Sequence, residues 1–259
     1  MAPLADTFAR LSARVNGVRG RALYPPFAQL GKRLRSVSRR LRGGKDPKPQ
    51  TRLPAVHWSE LLPANPIYLV EARKELGNVT EGELALLATA ATLVPVGRDV
   101  VEIGTFDGRT TLNLAINTRP DIIVNTLDLP PEMATQFDLH PSERRFVEKP
   151  KPGARFRNAA PPWSAHSAQI RQHLGDSATY DFSSLYGRAG LVFVDGSHAY
   201  EYALADSDTA FKLIAPNGVV IWHDYGVWDG VTRALEEIEV NRKLGLRHIR
   251  GTSLVVWKS

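Results

Sequence analysis

The sequence contains no cysteine. Disulfides, thiolate metal sites and a cysteine nucleophile are therefore excluded, and a cytoplasmic setting is expected. No apolar run approaches the ~18–20 residues needed to span a bilayer, and no secretory apolar segment is visible. The phosphate-cradling pattern G-x-G-x-x-G is missing as well. Where it would fall, residue 106 is Phe, and acids stand at Glu102 and Asp107. A dinucleotide pyrophosphate wants open backbone and a positive helix end, so a nicotinamide oxidoreductase is disfavoured. Most of the chain also lacks a net positive charge. The net charge of +6 arises because residues 1–55 hold 13 Lys+Arg against 2 Asp+Glu, whereas the other 204 residues hold 20 against 25. The body thus offers no electrostatic reason to bind nucleic acid.

The basic region, residues 1–55, carries two apolar stripes at helical spacing. One runs through Leu4, Phe8, Leu11, Val15 and Val18, the other through Phe27, Leu30, Leu34, Val37 and Leu41. Tyr24-Pro25-Pro26 separates them, and a polar linker, KDPKPQTRLP, follows Gly43-Gly44. The pattern predicts an amphipathic helical arm. Three roles compete: packing on its own domain or on a sister subunit of a homo-oligomer, peripheral contact with an anionic membrane, or a transit peptide.

From residue 56 onward, short apolar strands alternate with helical patterns. Strands are predicted at 99–104, 122–127, 170–174, 191–194 and 218–222, with two more near 246–250 and 253–257 joined by Gly251-Thr252. Thr80 and Glu83 form a capping-box pattern ahead of LALLATAATLV. Further helices are expected over 107–117, 199–214 and 230–244. The polar, proline-containing stretch 130–163 reads as a loop insertion or lid. The alternation predicts an α/β domain over 56–259: a Rossmann-like, doubly wound, seven-stranded sheet, mostly parallel, with a C-terminal antiparallel hairpin and an N-terminal helical extension.

Ligands of such sheets sit at the carboxyl ends of the strands. Here strand after strand ends in an acid: Glu102, Asp128, Asp176, Asp195 and Asp224. One is ordinary turn chemistry, and five predict a polar site along one rim. Glu102 with Asp107 suits a cationic or zwitterionic ligand. Gly104 would let a ligand approach the backbone closely, and Gly108 would relieve crowding at the helix start. Asp128 stands where a ribose diol would meet a carboxylate, flanked by Leu129-Pro130. Asp176 would accept the exocyclic amine of adenine, with the Ser177 N–H on a ring nitrogen. If the strands ending at Asp195 and at His223-Asp224 are neighbours, three metal-capable side chains converge. His198 follows Asp195 by three residues, and an imidazole of ordinary pKa takes a proton from a hydroxyl at neutral pH.

Together EIGTFDGRTTL, LD at 127–128, GDS at 175–177, VDGSHAYEY at 194–202 and PNGVVIWHDY at 216–225 resemble the class I S-adenosylmethionine-dependent methyltransferases. They are similar in particular to the group of macrolide-sugar O-methyltransferases and cephalosporin-hydroxylase-like proteins. The resemblance spans about 80–257. It implies methyl transfer from S-adenosylmethionine to a hydroxyl of a small polar acceptor, a sugar or glycosylated metabolite. It places Glu102, Gly104, Thr105 and Asp107 about the methionine part, with Asp195 beside them, Asp128 at the ribose, and Asp176 and Ser177 at the adenine. It makes His198 the general base and gives Asp195, His223 and Asp224 a divalent metal, Mg²⁺ or Mn²⁺. His223 departs from the acid usual at that place, which favours a softer ion or makes His223 a support for the ligands. The rival readings are a metal-independent transferase and a non-catalytic binding or assembly protein that keeps the fold.

Overall fold

The computed structural model describes residues 48–71, 79–139, 142–148 and 152–259. The chain divides into two units, Met1–Lys48 and Pro49–Ser259. The arm expected over 1–55 lies outside the described residues as far as residue 47, and the second unit carries the architecture. In chain order its elements are β1 (Ala55–Val56), α1 (Glu81–Ala91), β2 (Asp99–Ile103), α2 (Arg109–Asn117), β3 (Val124–Asp128), α3 (Arg144–Val147), α4 (Ala154–Arg157), β4 (Ile170–Leu174), β5 (Ala189–Val194), α5 (Tyr200–Leu213), β6 (Ile214–Trp222), α6 (Asp229–Arg242), β7 (Arg247–Ile249) and β8 (Val255–Lys258).

The eight strands form one sheet in the order β1-β7-β8-β6-β5-β2-β3-β4. Strands β2 to β6 pair in parallel, and β8 runs antiparallel to both β6 and β7. The strand beyond the predicted seven is β1, a two-residue edge strand parallel to β7. Leu53, just before it, is buried in the core, so part of the predicted linker belongs to the folded body.

Side-chain alternation fixes the two faces. Val101, Ile103, Val192 and Val194 join one core with Ala203, Leu213, Ala234 and Leu235 of α5 and α6. Val100, Leu191 and Phe193 join the other with Leu84, Leu87 and Leu114 of α1 and α2. Strands buried on both faces need helices on both faces. The Thr80 side chain caps α1 by accepting the Glu83 N–H, and the Glu83 carboxylate accepts the Thr80 N–H at 2.8 Å.

The chain leaves β2 and climbs to α2, then returns to place β5 on the other side of β2. The order therefore reverses between β2 and β5, the switch point where such sheets bind ligands. Gly104 sits there with φ +101°, and a Cβ on it would fall within the Asp195 carbonyl at the end of β5. What approaches this glycine so closely is the neighbouring strand's backbone. Gly104→Ala is expected to lower stability by more than ~3 kcal/mol through clash and backbone strain. A urea denaturation series, or failure of the variant to accumulate folded, checks this.

Candidate active site

Parallel strands share a direction, so the acids at the ends of β2, β3, β4, β5 and β6 emerge along one edge. Adjacent strand ends touch: the Gly175 N–H donates to the Asp128 carbonyl at 2.9 Å, the Asp195 N–H to Ile103 at 2.8 Å, and the His223 N–H to Val194 at 3.0 Å.

At the end of β2, Glu102 is fully buried. Its Oε2 accepts from Thr111 Oγ1 of α2 at 2.5 Å and from Thr126 Oγ1 of β3 at 2.6 Å. Thr126 is its register partner across the strand pair. Its other oxygen, Oε1, is buried without a hydrogen bond. Burial pushes this carboxyl up to about 8; the two threonine bonds pull the other way, and the nearby Asp195 and Asp128 charges add to the rise. With Oε2 taken by the two threonines, the neutral acid would carry its proton on the unpaired Oε1; a cationic ligand group at the switch point would favour the carboxylate instead and donate to that oxygen. Thr105 is turned into this network through its 2.7 Å bond with Thr126 Oγ1.

Asp107 faces elsewhere. Its Oδ1 caps the Arg109 N–H at 3.0 Å, and its Oδ2 meets Arg155 Nε at 2.9 Å. The expected ligand contact is thus taken by an arginine of α4, a residue 48 positions away. Crowding at Gly108 is as expected, because Phe156 and Gly153 of the same returning segment lie against it.

Asp128 ends β3 half-buried, with Oδ1 accepting the Leu129 N–H at 3.1 Å. Asp176 is already engaged at both oxygens: Oδ1 accepts the Ala178 N–H at 2.9 Å, and Oδ2 accepts the Gln136 N–H at 2.6 Å and the Tyr202 hydroxyl at 2.7 Å. In this conformation Asp176 organises the 130s segment, and Oδ1, with one bond, keeps capacity for a further donor. Behind Ser177, Asp206 of α5 is fully buried. Burial pushes it up to about 7, with the Ser177 hydroxyl pulling against the shift and Asp176 adding to it.

The histidine centre lies at the ends of β5 and β6. His198 Nε2 is 2.6 Å from Asp224 Oδ2, and Nδ1 is bonded to Glu143 Oε1. The ring stacks on Trp228, with centroids 4.3 Å apart and planes at 15°. His223 Nδ1 lies 2.9 Å from Asp195 Oδ1 and 3.3 Å from Asp224 Oδ2, and its Nε2 lies 3.5 Å from Glu83 Oε2. Burial alone would lower both imidazoles, but the surrounding carboxylates win. Hydrogen bonds to Asp224 and Glu143 hold His198 at about 9, and the Asp195 and Asp224 charges hold His223 well above its ordinary value. Asp224 is held far below the usual carboxylate range: burial opposes this, and His223 and His198 overcome it. Burial raises Asp195, with His223 opposing and the Asp224 charge adding to the rise. The expectation of an imidazole with ordinary pKa is corrected here. His198 is a cation at neutral pH, because carboxylates occupy both its nitrogens.

Asp195, His198 and Asp224 offer ligand atoms that all lie within 4.8 Å of one another. That donor set fits a divalent cation. His198 stands in it where His223 was expected, because His223 is turned between Asp195 and Glu83. Sequence reasoning missed Glu143 and Trp228, which show no pattern, and saw Glu83 only as a cap.

Residues 101–225 match the profile of a family described as a methyltransferase domain. The match covers just under half of the chain, from β2 to the end of β6. Solved structures support the fold. A Corynebacterium glutamicum protein superposes with TM-score 0.51 at 18% identity, covering 70% of this chain and 82% of its own. The O-methyltransferase NovP gives 0.52 at 16% identity, covering 69% and 80%. CalS11, a calicheamicin methyltransferase, gives 0.52 at 16% identity, covering 68% and 77%. No curated protein matches the sequence significantly. The matched stretch includes every candidate residue of the rim from Glu102 to Asp224. Glu83 and Trp228 lie outside the matched stretch. Among the described residues no helix is long and apolar enough to cross a membrane.

Proposed function

We propose that the chain transfers a methyl group from S-adenosylmethionine to a hydroxyl of a small polar acceptor, a sugar or a glycosylated metabolite, with help from a divalent cation. The observation that carries this is the unpaired buried oxygen of Glu102 at the switch point, beside the convergent Asp195, His198 and Asp224. The fold shared with NovP and CalS11 supports the reaction class. Neighbouring carboxylates suit the vicinal hydroxyls of a sugar.

Bound S-adenosylmethionine supplies an electrophilic methyl on a sulfonium. Glu102, Gly104, Thr105 and Asp195 would surround its methionine part, Asp128 its ribose, and Ser177 with Asp176 its adenine. A divalent cation held by Asp195, His198 and Asp224 would supply Lewis acidity at the acceptor hydroxyl. His223 then steadies Asp195 from behind, with Glu83 on its far nitrogen. Transfer needs the acceptor oxygen in line and water kept out. Nε2 of His198 cannot ligate the cation and take the acceptor's proton at once, so the general-base role belongs to the cation-free site, and there only when Asp224 is engaged elsewhere, because in the present arrangement that nitrogen is already bonded.

A metal-independent transferase is the second reading. The centre favours it in one respect: His198 and His223 as cations already compensate the surrounding carboxylates.

Titration calorimetry with S-adenosylhomocysteine, with and without Mg²⁺ or Mn²⁺, tests both. Micromolar binding, about −8 kcal/mol, is expected. A divalent ion should bind with release of protons, because His198 must lose one to become a ligand. No heat with S-adenosylhomocysteine on folded protein would sink the reaction class. Cofactor binding with no response to either ion selects the metal-independent form.

A further inference from the structure

Glu143 lies in the 130–163 stretch, immediately before α3, and is buried. Its carboxylate holds the β5–α5 turn. It accepts the backbone N–H of His198, pairs with His198 Nδ1, and receives the Ser197 hydroxyl at 3.4 Å. On the ring face Trp228 stacks at 4.3 Å. From α3, Phe146 stands edge-on to His198 at 6.3 Å and to Phe106 of the β2–α2 turn at 5.8 Å.

A neutral imidazole has one donor and one acceptor nitrogen, and the partner of one decides the job of the other. A carboxylate on Nδ1 accepts only, so it keeps a proton there. In the cation Nε2 also carries a proton, donated to Asp224; when the ring gives up one proton, Glu143 keeps that on Nδ1 and the lone pair falls on Nε2. Trp228 stacked on one face leaves the ring little freedom to turn over.

We propose that Glu143 is a positioning residue: it fixes His198 with the proton on Nδ1 and aims Nε2 into the Asp195–Asp224 centre. The catalytic consequence rests on the O-methyltransferase reading; the positioning itself does not.

Proton NMR of the full chain with ¹⁵N-histidine tests this. A carboxylate-bonded Nδ1–H gives a far-downfield resonance, identified as His198 by its absence in His198→Asn. Glu143→Ala should abolish it. Glu143→Gln, which keeps an acceptor oxygen without the charge, should retain it at a less shifted position. Asp224→Asn, acting on the other nitrogen, should leave it. With an active acceptor, Glu143→Ala should lower kcat by ~30-fold or more at little change in KM, and Glu143→Gln should recover most of that. A resonance that survives Glu143→Ala, or an unshifted one in Glu143→Gln should the alanine variant not fold, overturns the proposal. So does an unchanged kcat in Glu143→Ala. If the wild type binds no S-adenosylhomocysteine, the reaction class fails while the resonance still decides the role of Glu143.

Discussion

Asp224→Asn should lower methyl transfer on the order of 100-fold, the loss of a charge-assisted bond and a metal ligand together. Asp224 sits at φ +67°. Asparagine tolerates that left-handed backbone better than other replacements, so this substitution removes charge with little strain. The lost carboxylate faces His198 Nε2 at 2.6 Å and His223 Nδ1 at 3.3 Å. Without it both imidazoles lose a counter-charge, and the donor set falls to Asp195 and His198. S-adenosylhomocysteine should still bind within about threefold, because Asp224 is not assigned to the cofactor. Labelled-methyl transfer over a panel of hydroxyl acceptors, with Mn²⁺ titrated alongside, measures both effects. Equal turnover and equal ion affinity in the variant would remove Asp224 from the centre.

Glu102→Gln should have opposite effects on binding and on stability. Binding of S-adenosylhomocysteine should weaken ~10-fold or more, since a buried carboxylate able to meet an ammonium is replaced by a neutral amide. Stability should move the other way at alkaline pH. The folded-state pKa of Glu102 is raised, to about 8. Its contribution is therefore intact below the unfolded value near 4.5 and is lost as pH rises through about 8. Glutamine carries no such loss. Between pH 5 and 9 the variant should gain on the wild type by a few kcal/mol, roughly 3 to 5 from the size of the shift. Urea denaturation at the two pH values reads the gain, and calorimetry reads the affinity. A variant with unaltered affinity would place the cofactor's cationic end away from Glu102.

The sheet was legible because fully buried strands write themselves as short apolar runs closed by glycine or an acid, as in DVVEIG and LVFVDG. The two-residue β1 has too few positions to show a period. α3 and α4 were hidden inside a polar stretch, because four-residue helices carry no amphipathic signal. The acids at the strand ends were legible as a set, since parallel strands must deliver their ends to one edge. Their individual partners were not. Asp107 is bonded to Arg155 and His198 Nδ1 to Glu143, and both partners come from the same irregular segment about 50 residues away. The chemical state of a side chain depends on such distant neighbours, which neither local spacing nor a motif reveals.

Tyr225 follows Asp224 directly, and its hydroxyl oxygen accepts the backbone N–H groups of Arg52 at 2.8 Å and Leu53 at 2.9 Å, just ahead of β1. The same hydroxyl donates to Glu236 of α6 at 3.0 Å, and Glu236 in turn accepts the Arg52 N–H. One phenol therefore moors the outermost margin of the sheet to the residue beside the proposed metal ligand. The start of the folded body acts as a guy-line for its reactive heart, and slack introduced at the margin would be felt a single peptide unit from Asp224.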